Sequence, residues 1–152
     1  MQMKNVMSTM KKIDSVDAVV QASNYEMSAI DALHHCRAQK RREAAWLLGL
    51  LRSKHGVPEL VGLLSRNDDD WAVLAEAAHS LGLIADRRAV GVLCLRLHDS
   101  YLAVRRECAL ALVRIGDRAA VPHLWCAARD DPSPSVRCAV RAAVKKLESE
   151  KV

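Results

Sequence analysis

The sequence predicts an all-α protein built from repeated helix pairs, and three observations carry that prediction. Its 152 residues are 51% apolar and 27% charged, with aromatics at 3% and no Phe, so the apolar mass lies in Ala, Leu and Val rather than in the aromatics of a β-sandwich. Six Gly and four Pro are too few to punctuate an all-β chain, which turns roughly every 8 to 12 residues. The third observation is an internal repeat, which fixes the whole fold. Glu43, Glu76 and Glu107 recur at intervals of 33 and 31 residues. The same offsets bring Leu48, Leu81 and Leu112 into register, then Val57, Val90 and Val121, then Leu60, Leu93 and Leu124. A chain of this size hides roughly 70% of its unfolded surface, so it needs no disulfide or metal to fold.

Residues 1–12 read as a flexible N-terminal segment and 13–149 as a single repeat domain. The opening unit, 13–38, carries two short apolar stripes, Ile13, Val16 and Val20, then Met27, Ile30 and Leu33, with a break at Ser23 and Asn24. Its divergence is that of a capping repeat. Full units follow at about 40–68, 70–99 and 101–130. Their first halves set small residues such as Ala44, Ala45, Ala77 and Ala78 before Leu and Gly, which lets a neighbouring helix approach closely. Their second halves place apolar residues at i, i+3, i+4 and i+7, as in Val90, Leu93, Cys94 and Leu97, one stripe of a helix. Polar turns join the halves and the units; Asp68 to Asp70 and Asp130-Asp131 are turn and cap residues, and Pro134 suits a first helical turn. A closing half unit, 133–149, restarts the first-half pattern, with Arg141, Lys145 and Lys146 equipping its outer face for solvent. One helix pair cannot bury its own stripe, so the pairs must stack.

Lys and Arg number 23 against 18 Asp and Glu, a formal charge of +5, which allows nucleic acid without demanding it. The longest apolar stretch, Ala44 to Leu51, is far short of the ~20 residues of a membrane span. Met1 to Met10 lacks a signal-peptide core, and the expectation is a cytoplasmic protein without membrane contact. Five Cys at 36, 94, 108, 126 and 138, with no C-x-x-C spacing, read as reduced core thiols rather than a disulfide framework or zinc site. The six His, at 34, 35, 55, 79, 98 and 123, include no i, i+4 pair that would chelate a metal from one helix.

The run from Val104 to Leu124, with Arg105, Glu107, Gly116, Asp117 and Pro122 at their places, resembles the HEAT-like repeat of the phycobilin-lyase type, and the likeness extends over residues 40 to 147. That resemblance implies a right-handed α-solenoid of stacked antiparallel helix pairs whose second helices line the concave side. It implies several roles, because scaffolds, adaptors, lyase subunits and a hydroxylase share the repeat. The hydroxylase branch carries His-Glu pairs at the head of the first helices that bind a two-iron centre. Here the residues before Glu43, Glu76 and Glu107 are Arg42, Ala75 and Arg106, so no catalytic residue, metal or cofactor is assigned. Lyase subunits of the type hold a linear tetrapyrrole and a protein substrate, and no residue here identifies a pigment. The repeated glutamates are expected to tie adjacent units together, pairing with Arg41, Arg105 or nearby helix N-termini.

These readings converge on a non-catalytic protein-binding or scaffold module, not an enzyme. An accessory subunit of a lyase-like or other modifying enzyme is the alternative, and a backbone-binding nucleic-acid protein the third reading. The third rests on Arg37, Lys40, Arg41, Arg42, Arg52 and Lys54, a cluster interrupted by Glu43 and without aromatic platforms for single strands. With the second-helix valines and leucines assigned inward, the opposite columns place Val92, Leu95, His123 and Cys126 side by side on the concave face, flanked by Arg96 and Trp125. An exposed apolar patch of that kind marks a docking site. Its expected occupant is a helix or extended segment of another protein, or a second copy in a homodimer.

Overall fold

The structure, a computed structural model, describes residues 16–66 and 70–149. The segment 1–12 expected to be flexible, Ile13 of the opening stripe, and Asp68 and Asp69 lie outside the described residues. The described chain folds into α1 (Val16–Ala32), α2 (Ala38–Leu50), α3 (Val57–Ser65), α4 (Trp71–Ile84), α5 (Val90–Arg96), α6 (Leu102–Ile115), α7 (Val121–Asp130) and α8 (Pro134–Ser149). One-turn 3-10 segments, Arg87–Ala89 and Arg118–Ala120, lead into α5 and α7. The first helices α2, α4, α6 and α8 stack in sequence, and each second helix lies against the first helix that follows it: α1 on α2, α3 on α4, α5 on α6 and α7 on α8. This is the α-solenoid that the repeat predicts. No described helix is long and apolar enough to cross a membrane.

Small residues make the stack close. A Cβ at Gly49 would lie 2.5 Å from Ser80 Oγ, and one at Gly82 would lie 2.8 Å from Ala111 Cα, so adjacent first helices meet there nearly backbone to backbone. Around these crossings the registered leucines, Leu48, Leu81 and Leu112 on first helices and Leu60, Leu93 and Leu124 on second helices, are fully buried. Each such burial contributes about 1.5–3 kcal/mol of transfer free energy.

The turns repeat as closely as the helices. Asp86 accepts from Arg88 N at 2.9 Å and Asp117 from Ala119 N at 3.0 Å, each opening a 3-10 turn, while Asp70 caps α4 through Ala72 N at 2.8 Å. The Arg88 side chain and N–H, both hydrogen-bonded to Asp86, hold its carboxyl down to about 2. Just past each of the three complete first helices one residue is left-handed: Arg52 (φ 49°), Ala85 (φ 57°) and Gly116 (φ 71°). Only the last has the side chain that the conformation favours. Ala85→Gly is therefore expected to raise stability by about 1 kcal/mol, seen as a higher urea midpoint; an unchanged or lower midpoint would mean that the turn carries no strain.

Two expectations are corrected here. α1 runs unbroken through Ser23 and Asn24, because these residues cost a helix less than about 0.7 kcal/mol each and the segment holds neither Gly nor Pro. The cysteines are not all core residues: Cys108 is buried and Cys94 half-buried, but Cys36, Cys126 and Cys138 are exposed. Cys36 precedes α2 in a loop, and Cys126 and Cys138 fall outside the covered rows of α7 and α8. Burial pushes the Cys108 thiol far up.

Candidate functional site

The glutamate column surfaces on the first helices. A cleft of about 310 Å³ opens between Arg42 on α2, Trp71, Ala75, Glu76 and His79 on α4, and Ala103 and Glu107 on α6. A second, of about 360 Å³, shares Arg42 and Glu76 and reaches Gln39, Glu43 and Trp46. Arg42 Nε lies 3.6 Å from Glu76 Oε2, and His79 Nδ1 lies 3.1 Å from Glu107 Oε2 and 3.3 Å from Arg114 Nη1. One ring nitrogen cannot donate to a carboxylate and accept from a guanidinium at once. Donation to Glu107 is the charge-consistent arrangement, with Arg114 a neighbouring cation. Hydrogen bonds from Gln39 Nε2 (3.1 Å) and Lys40 Nζ (3.2 Å) hold the Glu43 carboxyl below its ordinary range. A histidine–carboxylate pair in an open cleft is suited to proton transfer. Sequence reasoning did not single out His79, although it lies three residues after Glu76 and so shares its face.

Two of the three glutamates tie adjacent units, since Arg42–Glu76 joins α2 to α4 and His79–Glu107 joins α4 to α6, whereas Glu43 bonds within its own helix to Gln39 and Lys40. The partner of Glu107 differs from the expected Arg105. That guanidinium reaches both carboxylate oxygens of Asp131 at 2.8 and 3.2 Å and the carbonyls of Asp99 and Ser100 at 2.9 and 3.1 Å. Arg41 makes the same reach to the carbonyls of His35 and Cys36 at 2.8 and 3.0 Å.

The donor set does not fit the two-iron centre that the hydroxylase resemblance implies. Among the described residues no group of three or more His, Cys, Asp or Glu is placed to hold a metal ion. Arg42, which precedes Glu43, presents its guanidinium to Glu76, and Ala75 and Arg106 precede Glu76 and Glu107.

On the second helices the structure brings together part of the expected docking patch. Leu95 and His123 line one cleft of about 420 Å³ with Val90, Gly91, Cys94, His98 and Ala119. Leu95, 76% exposed, is the most exposed large apolar side chain among the described residues. Cys126 lines an adjoining cleft of about 160 Å³ that shares His98. The other three residues are corrected. Val92 is buried; α5 packs on the preceding second helix α3 as well as on α6, so more than one stripe of it is available for covering. Arg96 is engaged within the chain, with Nε 2.6 Å from the Leu64 carbonyl, Nη1 2.7 Å from Asp99 and Nη2 on the Arg66 carbonyl. Trp125 turns toward α8, where Nε1 donates to Glu148 at 3.2 Å.

The basic cluster is partly neutralised in the same way. Lys40 pairs with Glu43 at 3.2 Å and Arg42 with Glu76 at 3.6 Å, while Arg41 binds loop carbonyls.

Comparison with known proteins adds what geometry alone does not give. Over 75 residues, 49% of this chain and 25% of the relative, the sequence is 32% identical to deoxyhypusine hydroxylase of Gallus gallus. Over 86 residues, 57% and 28% of the two chains, it is 31% identical to deoxyhypusine hydroxylase of Homo sapiens. The structure of human deoxyhypusine hydroxylase in complex with glycerol superimposes with a TM-score of 0.57 at 30% identity, covering 59% of this chain and 31% of that one. The complex of CpcE and CpcF of phycocyanin lyase from Nostoc sp. PCC7120 shares the fold, with a TM-score of 0.55 at 21% identity over 82% of this chain and 65% of that one. The chain spans about a quarter of the length of the hydroxylases it matches in sequence. These findings correct the expectation that the chain stands apart from enzymes, because its likeness in sequence and in structure runs to one. The model for HEAT repeats matches residues 27–103 and again 66–145, windows that take in the glutamate column and the stacked leucines, and the chain belongs to the HEAT-repeat family.

Proposed function

We propose that the chain serves a modifying enzyme of hydroxylase or lyase type, as an accessory subunit or repeat module, and that its second-helix cleft holds a polypeptide of that system. The observation that carries this reading is the 31–32% identity to deoxyhypusine hydroxylase. A stacked array supports it physically, since a rigid groove binds without ordering cost of its own. The cleft offers Leu95 as an apolar anchor, Val90 and Ala119 as its wall, and His98 and His123 as polar groups at the rim. The test is affinity capture of the full chain from its source cells with quantitative mass spectrometry. Wild type is expected to enrich a modifying enzyme or that enzyme's protein substrate, and Leu95→Glu, which stays folded, to lose it. Val92→Lys is expected to unfold the array instead. Enrichment of neither class overturns the functional reading, whereas equal enrichment by wild type and Leu95→Glu removes the cleft from it.

A further inference from the structure

The turns that lead into the second helices carry a column of cations. Lys54, Arg87 and Arg118 stand 33 and 31 residues apart, the intervals of the glutamates, and all three are exposed. The fold sets these turns side by side. Arg88 Nη2 donates to the Lys54 carbonyl at 2.9 Å, and Arg87 Nε lies 3.7 Å from Asp117 Oδ2, so the column runs along one edge of the array from α3 to α7. The carboxylates of the same turns are engaged as caps. Asp86 accepts from the Arg88 N–H at 2.9 Å and from its guanidinium at 3.0 and 2.9 Å, and Asp117 accepts from the Ala119 N–H at 3.0 Å. Arg118 has no side-chain hydrogen bond or ion pair among the described residues.

The second-helix cleft opens beside this edge. Its wall includes Ala119, the residue after Arg118, and Val90, three residues after Arg87. No Asp or Glu lines it. His98 and His123 at its rim have no side-chain partner among the described residues, and a neutral imidazole keeps one N–H to donate. Asp117 is felt in the cleft, because burial and then its charge push the Cys94 thiol up, but that carboxylate already takes the Ala119 N–H and faces Arg87. An apolar cleft with an exposed leucine is thus bordered by cations and short of anions.

We infer that the polypeptide held in this cleft is an acidic segment that carries a large apolar residue. The apolar side chain packs on Leu95, Val90 and Ala119, and the carboxylates meet Arg118 and Arg87 at the mouth, with Lys54 extending the track along the edge. The inference rests on the reading of this cleft as a polypeptide site and adds the chemistry of what it takes. Complementary charge of this kind selects the partner and speeds its docking more than it tightens the complex. A nucleic-acid backbone fits less well. It would meet the cations and leave Leu95 without a counterpart, and no aromatic side chain lines the cleft for a base to stack on.

Selection of random short peptides displayed on phage, against the full chain at ~0.15 M salt, tests it. Wild type is expected to enrich peptides with an excess of Asp and Glu around a large apolar residue. Leu95→Glu is expected to lose that enrichment, and Arg118→Glu to shift it toward Lys and Arg, a reversal that a merely structural role for Arg118 would not produce. Both variants should keep their helical circular dichroism, and Leu95→Ser and Arg118→Ala, each expected to lose the acidic enrichment, serve if a reversal of character unfolds the chain. Neutral or basic peptides that wild type enriches and Leu95→Glu loses overturn the acidic partner and leave the cleft a polypeptide site. Acidic peptides that Leu95→Glu still enriches overturn the inference by placing them elsewhere. No enrichment at all overturns it too, while capture from source cells still decides the functional reading. Single-stranded DNA that binds wild type and Leu95→Glu alike but not Arg118→Glu would give the cations to a phosphate backbone, against the inference.

Discussion

Asp131→Ala is expected to cost the fold about 3–5 kcal/mol, the penalty of stranding one partner of a buried ion pair. The two side chains are almost wholly covered, Arg105 at 9% and Asp131 at 2% exposure, and the fork between them joins α6 to the loop before α8. Asp131 also accepts from Ser133 N at 2.8 Å, and its carbonyl receives Arg137, so the change loosens three segments at once. Replacing both members, Arg105→Met with Asp131→Leu, should cost less than the single change because no charge is left buried without its partner. Burial would raise the Asp131 carboxyl, but hydrogen bonds from Arg105 and the Ser133 N–H, with the charges of Arg105 and Arg137, leave it below its ordinary value. A carboxyl held low in the folded state takes up its proton more readily when unfolded. Its stabilisation is therefore complete above the unfolded value of ~3.9 and is lost as pH falls through the lower folded value. The gap in urea midpoint between wild type and Asp131→Ala should hold from neutral pH to about 4 and narrow below it. Equal midpoints at neutral pH would show that the pair holds nothing.

Gly82→Ala is expected to destabilise by about 1–3 kcal/mol, and Gly82→Val by more. In an open helical position the same change gains up to about 1 kcal/mol, so the sign is the informative quantity. The new Cβ would meet Ala111 Cα at 2.8 Å and Ala111 Cβ at 3.0 Å, and backbone cannot yield without parting α4 from α6. Gly49→Ala meets Ser80 in the same manner, at 2.7 Å from its Cβ and 2.9 Å from its Cα. Gly62 and Gly91 have nothing within 4 Å, and alanine there should raise the melting temperature. A series in which all four glycines respond alike would contradict the backbone contact between first helices.

The helix pairs, the leucines in register, the small residues at the crossings and the Asp-headed turns were all legible in the sequence. Each is set by spacing within a few residues or by the repeat interval, and local periodicity decides which side of a helix is apolar. Activity was not legible in the same way: repeat spacing carries the fold, the same repeat serves scaffolds, lyase subunits and a hydroxylase, and the 31–32% identity to deoxyhypusine hydroxylase came from comparison over 75 to 86 residues. The side-chain partnerships were decided by tertiary structure. Glu107 meets His79 from 28 residues away and Trp125 meets Glu148 from 23, and such pairs depend on how far one helix is displaced and tilted against the next. Val92 is buried and Leu95 open, although both stand on one short helix opposite an assigned stripe of which Leu93 and Leu97 are buried and Val90 and Cys94 half-buried. A period of 3.6 residues gives the direction of a side chain from its own axis, but the depth at which a neighbouring helix packs determines whether anything covers it.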